Sequence, residues 1–146
     1  MRGPSVGREF IAVEGVYDDQ WVGREAVFAC HGPALTALDI EGDLAAVGAL
    51  LPQRLVGWVG GEKALDMSIA TPGHFCATIP LIASGRRSGT WEVSLIPERT
   101  FRPSDLGGSA DHRTLSVRLS RLVARGPNGH EIVKTLGPVP APGSDS

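Results

Sequence analysis

Glycine and proline interrupt this chain at short intervals, and that spacing limits its fold more than any other feature. Nineteen glycines and 11 prolines fall among 146 residues, as punctuation between short apolar runs. Helix interiors tolerate neither residue well, whereas short strands joined by turns need both. The chain therefore reads as all-β, and the runs between the breaks alternate with a period of two residues rather than 3.6. Residues 8–13, 24–30, 35–40, 54–59 and 74–79 each read as a short strand. Thr90 to Ile96, TWEVSLI, is the clearest: Trp91, Val93 and Leu95 share one face and Glu92 and Ser94 the other. Leu115, Val117 and Leu119 alternate with polar residues until the phase shifts at Leu122 and Val123, which predicts a bulge. A last strand is expected over 131–136. The Asn128-Gly129 pair before it marks a hairpin, because both residues accept positive φ.

The only helical spacing lies in 43–51, where Leu44, Val47, Leu50 and Leu51 recur until Gly48 interrupts and Pro52 stops them. One short helical turn is expected there. About eight or nine short strands fit a two-layer antiparallel β-sandwich, jelly-roll or immunoglobulin-like, better than a closed barrel or a parallel sheet. Residues 1–136 form one domain in this reading, since the length supports one two-layer core. Residues 137–146, GPVPAPGSDS, read as an extended tail or the start of a linker.

A net charge of −2 offers no footprint for nucleic acid or an anionic membrane surface. No apolar run approaches the roughly 18 residues of a membrane span. The first 12 residues, with Arg2 and Arg8, do not read as a secretory signal. The expectation is a cytoplasmic chain, standing alone or cut from a larger one. Its two cysteines, Cys30 and Cys76, can pair or stay as free thiols, and the sequence leaves that open.

Two stretches exceed generic strand grammar: Gly15-x-Tyr17-Asp18-Asp19-x-Trp21 near the start, and Asp111-x-Arg113-x-Leu115-Ser116-Val117 near the end. In order and spacing, from Val13 to Leu122, the chain resembles the β-sandwich accessory modules found beside bacterial glycosyltransferases and polysaccharide-assembly enzymes. The resemblance implies a non-catalytic companion that binds a glycan or docks on the partner glycosyltransferase, with no cofactor. The chain departs from that pattern in carrying no glycosyltransferase domain.

The residues themselves allow two readings at each position. Trp21 reads first as a core anchor, and Tyr17 or Trp21 alternatively as a platform for a sugar ring. Asp111 and Arg113, two residues apart, are expected on one strand face as a bidentate pair or in a loop-capping role, with alternation sending His112 to the other side. Arg86 and Arg87 form a basic loop tip that is a weak candidate for an anionic sugar or an acidic partner surface. No catalytic residue is assigned.

No metal is expected either. His74 and Cys76 share a strand face that Cys30-His31 could meet across the sheet, but close ligand pairs at two places are lacking. Glu14, Asp18 and Asp19 are too few oxygens for calcium and read as a solvated turn. Gly57-Trp58-Val59-Gly60-Gly61 lacks the Lys-Ser/Thr of a phosphate loop and reads as a strand entering a turn. The rival functions are a structural jelly-roll subunit of an oligomer or virion, and a small jelly-roll enzyme. A homo-oligomer is compatible with each.

Overall fold

The computed structural model describes residues 9–32, 34–81 and 89–136, and the backbone of 86–87. Among the described residues ten strands follow one another: β1 (Phe10–Val16), β2 (Val22–His31), β3 (Ala37–Leu44), β4 (Gln53–Val59), β5 (Glu62–Ile69), β6 (Gly73–Pro80), β7 (Arg86–Arg87), β8 (Thr90–Pro97), β9 (Arg118–Arg125) and β10 (Glu131–Thr135). They form two antiparallel sheets, ordered β1-β2-β8-β4-β5 and β10-β9-β3-β6, with the two-residue β7 paired to β8. The described residues contain no α-helix, only short 3₁₀ turns. The chain is a β-sandwich.

Alternation dictates the layers. Trp91, Val93 and Leu95 of β8 are buried, as TWEVSLI requires, and Leu55 and Val59 of β4 lie beside them. From the facing sheet come Leu38, Ile40, Ile79, Leu119 and Leu122, all fully buried. Each such side chain contributes about 1.5–3 kcal/mol by leaving water. Gln53 is also fully buried, but its amide donates to Arg99 O at 2.9 Å while its carbonyl accepts from the backbone N–H groups of Arg54 and Arg99. A buried polar group with its valences filled carries little penalty.

Several strand ends differ from expectation for local reasons. β3 continues past Ile40 to Leu44, because Asp43 and Leu44 pair with His74 and Gly73 of β6. The helical option in 43–51 accordingly shrinks to a single 3₁₀ turn, Gly48–Leu50. β5 was not anticipated, although Leu65, Met67 and Ile69 alternate with Asp66 and Ser68; Ala64 is an extra residue in a bulge opposite Gly57 and Trp58, near its start. The bulge in β9 falls at Ser120, slightly earlier than the phase shift suggested: Gly42 pairs with Leu119 and Glu41 with Arg121. Leu115 pairs with Phe101 in an isolated bridge outside β9. Asn128 and Gly129 do turn the last hairpin at φ of 61° and 75°. Residues 137–146 lie outside the described residues, as do the side chains of Arg86 and Arg87.

Candidate functional site

The two motif stretches meet at one end of the sandwich. Between β1 and β2 the chain reverses through residues 17–21, where the Gln20 N–H donates to Tyr17 O at 2.9 Å and the Tyr17 N–H to Trp21 O at 2.8 Å. Gln20 takes φ of 78°, so this is a three-residue hairpin loop closed by a left-handed residue. The long connection from β8 to β9 then returns alongside. Val22 N–H donates to Val117 O, Ser116 N–H to Val22 O, and Leu119 N–H to Gln20 O, at 2.8–2.9 Å. The buried Ser116 hydroxyl lies 2.9 Å from Val22 O and 2.8 Å from Gly23 O, and its single proton is shared between these two carbonyls. These bonds carry Leu115-Ser116-Val117 into register with the start of β2.

Arg113 is thereby delivered to Asp19, 94 positions earlier in sequence, with Nη1 and Nη2 donating to its carboxylate at 3.0 and 2.8 Å. Nε and Nη2 also donate to Asp111, at 3.0 and 2.8 Å, and the Arg113 backbone N–H adds a third bond to that carboxylate. The guanidinium carbon lies 4.7 Å from the Tyr17 ring centroid. Four of its five N–H groups are therefore engaged and one face is stacked. Hydrogen bonds from Arg113 hold the Asp111 carboxyl down at about 2 and Asp19 below the usual carboxylate range, and they raise the guanidinium's own pKa. All three groups stay charged at neutral pH. The arrangement is a clasp that fixes two remote segments, and its carboxylates are unsuited to proton donation.

Beside the clasp lies an open cleft of about 710 Å³, lined in part by Tyr17, Arg24, Glu25, His112, Arg113 and Thr114. That volume is within the range of small-ligand sites. Segment 109–114 is irregular rather than a strand, so the alternation expected to turn His112 away does not apply. His112 lines the cleft with Arg113, its Nδ1 sharing a 3.0 Å hydrogen bond with Ser104 Oγ.

The sequence candidates separate clearly in space. Trp21 is half-buried, with Phe101 edge-on at 5.7 Å and the Arg118 guanidinium 6.0 Å from its centroid. It packs on Phe101, which in turn meets the core, and is not itself part of the buried core expected of it. Tyr17 is 40% exposed, with Arg113 on its ring. Asp19 leaves the carboxylate trio read as a solvated turn and becomes a partner of Arg113, a link that sequence distance concealed.

Cys30 and Cys76 are free thiols in different sheets, Cys30 buried in the core and Cys76 exposed on the outer face of the second sheet. Burial pushes the Cys30 thiol up to about 12. His31 instead shares a 2.7 Å hydrogen bond with Thr90 and stacks on Phe10. His74 lies 3.9 Å from both Glu41 and Asp43, but among the described residues no group of three His, Cys, Asp or Glu is placed to hold a metal ion. Sequence reasoning passed over Trp58. It read GWVGG correctly as a strand entering a turn, yet alternation in β4 leaves this indole on the outer face, 36% exposed.

No family model, curated protein or solved structure matches this chain.

Proposed function

We propose that this chain is a non-catalytic accessory module of bacterial polysaccharide or glycoconjugate assembly that acts by binding a glycan. Docking on the partner glycosyltransferase is the second mode. The observation that carries the reading is the convergence of the two resemblance stretches: Tyr17, Asp19, Asp111 and Arg113 close on one another, and Tyr17 and Arg113 line an open cleft. Residues so consumed by mutual contacts serve to hold a surface in place, which suits a recognition module better than a reaction centre. The cleft offers Arg24 and His112 as donors and Glu25 as an acceptor, a mixture that can meet the hydroxyls of a sugar.

A glycan array probed with the purified chain tests this directly. Reproducible binding that survives moderate salt is the expected result. A blank array together with specific co-purification of a glycosyltransferase would select docking, and a blank array with no such partner would overturn the proposal.

A further inference from the structure

The aromatic side chains divide sharply by what already covers them. Phe28, Phe75 and Trp91 are buried, and Trp21 and Phe101 pack on each other. Phe10 is exposed but stacked on His31, with ring centroids 5.1 Å apart and planes 6° from parallel. Tyr17 carries the Arg113 guanidinium. Trp58 differs: among the described residues no ring or guanidinium stacks on its indole, although it stands on the outer face of the larger sheet.

Its surroundings are ordered and chemically mixed. In register beside it are Ser94 of β8 and Lys63 of β5. Two residues along the same strand face lies Val56, paired with Ile96, which is 38% exposed. In the other direction Gly60 N–H bonds to Glu92 O, placing Glu92 at that edge. The bulge opposite Gly57 and Trp58 sets the local aim of the strand. A Cβ at Gly57 would lie 2.9 Å from Ile79 Cδ1 of the facing sheet. Trp58 thus follows a residue beneath which the two sheets approach closely.

We propose that this face is a sugar-binding platform, with Trp58 stacking on the apolar C–H face of a neutral hexopyranose within an oligosaccharide. Ile96 and Val56 extend the apolar strip, and Ser94, Lys63 and Glu92 meet ring hydroxyls at its margins. The proposal rests on the glycan reading of the module and adds a contact on the sheet face to the one at the cleft. Two features favour this ligand. Interface cores between proteins are depleted of charge, and a protein seated on Trp58 would have to strip water from Lys63 and Glu92. A sugar hydroxyl donates and accepts, so it can satisfy both. Glu92 at that edge disfavours a polyanionic chain, whereas the Asp66 charge on β5 is already met by Arg54 and Lys63.

Titration calorimetry of the full chain with laminarihexaose, cellohexaose and chitohexaose, and with a polyuronate for comparison, tests the platform. Wild-type protein is expected to bind at least one neutral hexaose and not the polyuronate. Trp58→Ala should weaken binding about tenfold or more at unchanged thermal stability, and Trp58→Phe should recover most of it. Binding that persists undiminished in Trp58→Ala would overturn the platform while leaving the glycan reading intact. No binding of any neutral hexaose by wild-type protein would overturn the platform, and the glycan array then decides the broader reading on its own. A monomer–dimer equilibrium abolished by Trp58→Ala, without sugar binding, would assign the face to a second copy of the chain and also overturn the platform.

Discussion

Gly15 opens the first resemblance stretch, and the structure gives it a specific task. It takes φ of 84° at the break in register between β1 and β2, and a Cβ built there would sit 2.1 Å from Glu25 O and 3.0 Å from Ala26 Cα. Gly15→Ala therefore meets two costs. The left-handed backbone costs about 1–2 kcal/mol for an L side chain. Overpacking adds about 1–3 kcal/mol, because the obstructing atoms are backbone and cannot rotate away. Gly61 separates the two terms. It turns β4 into β5 at φ of 93°, with nothing within 4 Å of its hypothetical Cβ, so Gly61→Ala should show only the first. Urea unfolding followed by tryptophan fluorescence measures both, and an unchanged dependence on urea would keep the comparison within one unfolding reaction. The expected difference is about 1–3 kcal/mol in favour of Gly61→Ala, a large part of the roughly 5–15 kcal/mol that holds a domain together. Equal destabilisation by the two substitutions would show that the strand pair opens freely at Gly15, and the close-approach argument would fail.

Ser116→Ala should cost about 1–2 kcal/mol in chemical unfolding, because its hydroxyl is the buried donor shared between Val22 O and Gly23 O; a cost near zero would mean that water replaces it. Asp111 and Asp19 have folded-state pKa values below their unfolded ones, so their contribution is present above about pH 4 and is lost as pH falls towards 2. Melting temperatures of wild type and Arg113→Met should accordingly differ at neutral pH and converge across that interval; a constant gap would point to packing on Tyr17 instead. A thiol-reactive dye should modify one cysteine in the native protein, Cys76, and both in denaturant. Rapid labelling of Cys30 without denaturant would contradict its burial.

The fold was legible where the signal was local. β8 reads directly from TWEVSLI, and the last hairpin from Asn128-Gly129. β5 also alternates over Leu65, Met67 and Ile69, a signal present in the sequence, while the bulge at Ala64 that precedes it is revealed only by the pairing with β4. The candidate site divides in the same way. Asp111 and Arg113 are neighbours whose pairing can be anticipated, but Asp19 joins them only through the return of the chain beside β2. His112 was misplaced because a strand rule was applied to an irregular segment. Trp58 was legible as an outward residue once β4 was phased. Its lack of a stacking partner depends on where every other aromatic lies, which no window of sequence contains.

Native mass spectrometry of the purified chain against a panel of bacterial oligosaccharides tests recognition most directly, because it detects a complex without presuming a site. The account predicts a saturable one-to-one complex with a subset of neutral oligosaccharides. Equal, weak adducts with every sugar in the panel, or none with any, would contradict glycan recognition.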